Sequence, residues 1–288
     1  VIAPVVVHAA CAALVAVDLA ARTWRVQCLG RAVGHPVQPL DALRVNLLAD
    51  AGASLSPMRL AGEPARIAGL AAAGVPIRGS LALIACELAT AWPTLLVFGA
   101  VLAAMAAPRW WNDAGAPFVG RAVSALPAMA LIAALSAGAW LLTAPLRRSL
   151  ACRVASRGRQ VGLPLRSIPV HALVVSAFLS AVNILTRTAV LPVLALTLAD
   201  PPSHAALWFG SFILVYGQLV LPTPAGLGAV ELGFLGGAAG DGDLALLVAW
   251  RWWINAVPTL LGLAVAWQLR ARVTAWLRPA RARGTVSG

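Results

Sequence analysis

The chain has 288 residues, 60% of them hydrophobic and 11% charged, and its net charge of +12 comes from 22 basic residues that are all Arg. This balance excludes an ordinary soluble domain and fits an all-α polytopic membrane protein. The arginines flank apolar runs, the pattern of the positive-inside rule, so nucleic acid is set aside as a partner.

A hydrocarbon core of ~30 Å takes roughly 20 helical residues, so the length allows about six to eight crossings. Residues 1–21 form the first apolar run, and Arg22, Arg25 and Arg31 read as the cytoplasmic loop behind it. Residues 40–58 carry Asp41, Arg44, Asn46 and Asp50, then a break at Ser56-Pro57. They are too polar to face lipid and read as a re-entrant or bundle-buried segment, with a surface amphipathic helix as the alternative. Residues 67–78 read as a short helix or loop, and residues 79–105 as a span holding Glu87 and Pro93. Trp110 and Trp111 suit an interfacial belt within 106–121, and 122–143 read as another span.

Residues 147–166 hold six arginines and no acid, the clearest cytoplasmic loop. Residues 168–199 would extend ~48 Å as one helix, so tilt, a kink at Pro192 or a break near Asn183–Arg187 is expected. Asp200 to His204 read as external. Residues 205–221 are expected to cross back, 222–240 to cross as a broken helix, and 244–267 to form the last span, with Arg251 and Pro258 inside. The chain therefore divides into one transmembrane domain, 1–270, and a basic cytoplasmic tail, 271–288.

The segment Leu221–Gly233, LPTPAGLGAVELG, places Pro222, Pro224, Gly226 and Gly228 within seven residues and then Glu231. Proline removes an amide donor and glycine permits positive φ, so a regular helix does not hold there. Pro57 and Gly62, followed by Glu63, repeat the order proline, glycine, glutamate in the first half. Paired interrupted segments in two halves point to an inverted repeat and to hinges at these residues.

Three glutamates exist, Glu63, Glu87 and Glu231, and all lie in or beside membrane segments. Arg66, Arg187 and Arg251 are the cations least explained by flanking loops. A charge at a helix centre costs about 2.5–3.5 kcal/mol on insertion scales, so these six must pair, lie near the interface or face water. Either they pin helix packing by pairing with one another, or the arginines line a cavity for an anionic headgroup, which a guanidinium fork suits. Glu87 has the weakest functional claim, since it could snorkel or cap toward the cytoplasmic end. The four cysteines show no C-x-x-C spacing and the histidines are scattered, so no disulfide framework, metal site or cofactor is indicated.

Pro57-Met58-Arg59-Leu60-Ala61-Gly62-Glu63-Pro64-Ala65-Arg66 is similar to a P-x-R-x-G-E-x-x-R pattern with one extra residue, and Glu87 follows in a span. Pro222 to Glu231 resembles a P-x-P-G-G-x-G-x-x-E signature, with Ala225 where the family usually has glycine. Trp250-Arg251, then Pro258 and Gly262, resembles the Arg-bearing span that follows. Together these resemble the lysylphosphatidylglycerol synthase transmembrane, or flippase-like, family over about residues 10–270. The soluble aminoacyl-transferase domain of the full synthases is absent from this sequence.

The resemblance implies a non-enzymatic protein of the bacterial inner membrane that translocates a lipid between leaflets. The expected partners are membrane lipids, bound by Glu63, Arg66, Glu87, Arg187, Glu231 and Arg251. The alternatives are a non-catalytic partner of a lipid-synthesis enzyme, docking through 147–166, and an intramembrane lipid-modifying enzyme using Glu231 or Glu63. No P-loop is present to bind a nucleotide.

Overall fold

A computed structural model describes residues 2–56, 59–116, 168–219, 228–235 and 243–277, with positions 119, 120, 127, 130, 131, 134, 226 and 237. The described residues form an all-α polytopic membrane fold. The elements are α1 (Pro4–Ala32), α2 (Pro39–Ser54), α3 (Gly62–Ala72), α4 (Ile77–Trp110), α5 (Val170–Leu194), α6 (His204–Gly217), α7 (Ala229–Leu235), α8 (Leu244–Arg251) and α9 (Val257–Leu277). A π turn at Trp252–Ala256 joins α8 to α9, so the two run as one rod. The expected span 122–143 and loop 147–166 lie almost wholly outside the described residues.

Among the described residues four stretches are long and apolar enough to cross a membrane: Pro4–Ala32, Ile77–Asp113, Val170–Thr197 and Leu244–Arg270. Large apolar side chains stand bare on them, with Met105 74% and Trp267 69% exposed, as lipid-facing positions require. The other described helices are too short to cross. α2, with 16 residues, and α6, with 14, rise only ~24 Å and ~21 Å.

Several expectations are corrected here. The first helix does not end near residue 21: α1 continues to Ala32, and Arg22 and Arg25 are buried within it rather than set in a loop. A cation pattern at a helix end and one inside a bundle look alike when the partner carboxylates are distant in sequence. The stretch 168–199 shows no break at Asn183–Arg187; α5 is continuous to Leu194 with Pro192 inside, and a 3-10 turn at Ala195–Thr197 ends it. Within the expected span 205–221 the helix α6 stops at Gly217, short of a crossing length, and residues 220 and 221 lie outside the described residues. Trp110 is not an interfacial residue open to lipid: it is buried against Phe209 of α6, and Trp111 is the exposed one. The helix α9 runs to Leu277, seven residues into the stretch expected as tail, and 278–288 lie outside the described residues.

Among the described residues the two halves use the same order of elements. In the first, long α1 is followed by the short pair α2 and α3, then long α4. In the second, long α5 is followed by the short pair α6 and α7, then the long α8–α9 rod. α1 packs against α5, α2 packs on α9, and α6 packs on α4, so each short pair leans on the long helix of the opposite half. α1 and α5 run antiparallel: Cys11 meets Val190, Asp18 meets Arg187, and Arg25 meets Ser180. That is the relation an inverted repeat demands.

Small residues set the closeness of the α2–α3 pair and of its seat on α9. A Cβ at Gly52 would lie 2.6 Å from the Ala61 carbonyl oxygen, and one at Gly262 only 2.1 Å from that of Leu47. The core between α1, α5, α6, α7 and α8 is built on Leu191, Leu194, Phe234 and Trp250. A second core, on Leu29, Val45, Leu70 and Leu83, ties α1 to α2, α3 and α4.

Candidate functional site

α1 supplies three charged residues at helical spacing, Asp18, Arg22 and Arg25, which lie on one face. That face meets α2, α4 and α5, and each neighbour answers with a charge or a polar group. Arg22 forms a two-bond fork with Asp50 of α2, at 2.9 and 2.8 Å, and also pairs with Asp18 at 2.8 Å. Arg187 of α5 completes the square, 3.4 Å from Asp18 and 3.6 Å from Asp50. Asn183, one turn before Arg187, donates to Asp18. Two guanidinium groups and two carboxylates thus balance near the midpoints of α1 and α5.

A second group lies toward the C-terminal end of α1. Glu87 of α4 is buried between Arg25 and Arg66, the latter at 2.5 Å. Arg25 also donates to Ser180 at 2.8 Å, and Arg66 to Asn46 at 3.2 Å. Glu63 stands at the edge, half exposed, 3.9 Å from Arg66. Such buried ions persist because each has a partner; removing one leaves the others as bare charges in low dielectric.

The third pair belongs to the second half. Glu231 of α7 holds Arg251 of α8 at 2.6 Å. Its other oxygen accepts from the Gly228 amide at 2.7 Å, the reach-back of a capping box at the start of α7. Gly226 and Gly228 have φ of +68° and +81°, a left-handed turn that only glycine takes without strain. Arg251 also donates to the Gly226 carbonyl at 3.4 Å.

The six sequence-marked charges therefore sit in three separate groups. Arg66 joins Glu87 and Glu63, Arg187 joins the two aspartates, and Glu231 joins Arg251. Glu87 neither snorkels nor caps: it is among the most buried acids, 3% exposed, because two arginines converge on it. Of the hinge residues, Gly62 packs against Ala53 of α2, whereas Pro57, Pro222 and Pro224 lie outside the described residues. Asp18, Arg22, Arg25, Asp50 and Arg59 were not among the site residues expected from the sequence. The i, i+4 pair Asp18 and Arg22 inside an apolar run was the available signal.

The ends of the two short pairs meet. Arg59, between α2 and α3, donates to Gln218 at the end of α6, at 3.4 Å. Gln218 is itself 1% exposed, and the chain folds back on it at Gly226. The described helices of both short pairs are shorter than a crossing needs, and Arg59 and Gln218 bring the two pairs together. Polar, irregular backbone at that depth survives only inside protein or beside water.

The family model of the lysylphosphatidylglycerol synthase TM region matches residues 2–262. The chain belongs to this family. As a lysylphosphatidylglycerol synthase TM region it is an integral membrane protein, consistent with the four long apolar helices among its described residues. No curated protein and no solved structure matches the chain. Among the described residues no group of His, Cys, Asp or Glu could hold a metal ion.

Proposed function

We propose that this lysylphosphatidylglycerol synthase TM region moves a lipid with an anionic headgroup between leaflets, without modifying it. The observation that carries the reading is the meeting of two pairs of short helices, at Arg59 and Gln218, in a bundle that holds buried, paired charges. Interrupted helix pairs that end at mid-membrane are where transporters of this type of architecture place their substrate sites. A cleft between α1, α5 and the π turn adds to it. Leu14, Val15, Val190, Trp253, Ile254 and Pro258 line it with apolar surface, and Asp18 and Arg187 are among its lining residues.

In this mechanism the arginines replace headgroup hydration while the acyl chains stay in lipid. The paired carboxylates hold the guanidinium groups in place until a phosphate competes for them. Arg187 and Arg251, 15% and 14% exposed at their side chains, are more open than Arg66 at 9%, so they are the first to exchange a carboxylate for a headgroup. Glycines 226 and 228 let the second short pair re-orient between inward- and outward-facing states. The protein acts in a bacterial inner membrane, with its basic C-terminal end in the cytoplasm.

Purified protein in vesicles, with headgroup-labelled lipids and an impermeant quencher, tests the proposal. Faster loss of outer-leaflet protection for an anionic lipid than in empty vesicles, with the lipid chemically unchanged by mass spectrometry, is the expected result. Rates equal to empty vesicles for anionic and zwitterionic lipids alike contradict it, and a changed lipid mass assigns an enzyme instead.

A further inference from the structure

The rod of α8 and α9 is continuous but not regular. At its joint the Val257 amide donates to the Trp252 carbonyl, one residue further back than in an α-helix. That π turn takes up one extra residue. Pro258 follows and has no N–H, so a regular α-helix would leave the Ile254 carbonyl without its donor. The hydrogen bonds that make one register much better than another are thinned at this joint.

The extra residue sets which way α8 faces. Arg251 and Gly262 are eleven residues apart, so in a regular helix they would point within about 20° of each other. With one residue absorbed by the π turn they point about 80° apart. Both directions are held by partners. Arg251 meets Glu231 at 2.6 Å, and Gly262 lies so close to α2 that a Cβ would sit 2.1 Å from the Leu47 carbonyl oxygen. The π turn is what lets one rod satisfy both seats.

The joint is lightly held. Trp253 donates its indole N–H to Nδ1 of exposed His8 on α1, at 3.1 Å. The cleft lined by Leu14, Val15 and Pro258 lies beside it. The Trp250 indole nitrogen and the Asn255 amide nitrogen are buried without a hydrogen-bond partner among the described residues. The outer face of α8 is apolar too, at Leu244 and Val248, so turning it in lipid exchanges one apolar face for another.

We infer that the π turn Trp252–Ala256 is a rotary switch: drawing it into a regular α-helix turns α8 by about 100° against α9 and takes Arg251 off Glu231. The tight seat of Gly262 keeps α9 still, and the bond between Trp253 and His8 is the latch. Only the use of this rotation to move a lipid rests on the transport reading.

Fluorine NMR of the full-length protein in nanodiscs, labelled with 5-fluorotryptophan, tests this. Phe replacements assign Trp250 and Trp253. Each shows two resonances, with equal minor populations because the rod turns as a unit. Glu231→Gln raises the minor population about fivefold, and His8→Ala about twofold. Deleting Ala256 removes the extra residue and keeps both seats, so each tryptophan shows one resonance at near-wild-type melting.

A single resonance for each tryptophan in wild type, Glu231→Gln and His8→Ala overturns the switch. Two resonances that persist in the folded deletion variant overturn it as well. If the deletion variant does not fold, the two substitutions decide: shifted populations support the switch and unchanged ones contradict it. In vesicles the folded deletion variant slows lipid translocation about tenfold or more. Translocation at wild-type rate there overturns the switch's part in the cycle. Two resonances in a wild type that moves no lipid sink the transport proposal and leave the switch standing.

Discussion

The two halves of the bundle solve one problem with the charges exchanged. In the first, the acid stands on the long helix and the base on the short one: Glu87 of α4 holds Arg66 of α3. In the second, the base stands on the long helix and the acid on the short one: Arg251 of α8 is held by Glu231 of α7. The surroundings differ as well. The Glu87 side chain is 4% exposed and shared by two arginines, whereas Glu231 is 29% exposed and caps its own helix. Burial raises the cost of an unpaired charge, so the first pairing holds structure and the second is the one that can open. In the proposed mechanism the first short pair is the frame and the second is the element that moves.

The comparison can be broken most sharply at Glu87. Glu87→Gln leaves Arg25 and Arg66 buried without a full counter-charge and should destabilise by about 3–5 kcal/mol. Thermal unfolding in detergent reads it, and a loss no larger than that of Glu231→Gln would erase the distinction. Gly262→Leu comes next. The added side chain would push α9 away from the Leu47 carbonyl and cost about 1–3 kcal/mol, seen as a lower Tm. Glu231→Gln should cost only about 1 kcal/mol, because its site is partly wet, yet slow lipid translocation at unchanged fold. Smallest is Trp253→Phe, which removes the exposed bond to His8 and should shift unfolding by less than about 0.5 kcal/mol.

The fold class and the odd character of 40–58 were legible because the polarity of that stretch conflicts with a lipid-facing crossing. Proline and glycine likewise marked 222–228 as irregular before any geometry was known. What stayed hidden was pairing at long range. Arg25 and Glu87 are 62 residues apart and Asp18 and Arg187 are 169 apart, so nothing local told a buried cation from a loop cation. The positive-inside rule then assigned Arg22 and Arg25 to solvent. Glu87 was undervalued for the same reason, since its two partners come from different helices.

A double-mutant cycle across Glu231 and Arg251, read in the vesicle translocation assay, tests the central claim most directly. Glu231→Gln and Arg251→Gln should each slow anionic-lipid translocation about tenfold or more at unchanged fold, and the exchange Glu231→Arg with Arg251→Glu should restore a substantial part. Wild-type rates in both folded single variants would contradict the claim that this pair is the moving contact of the cycle.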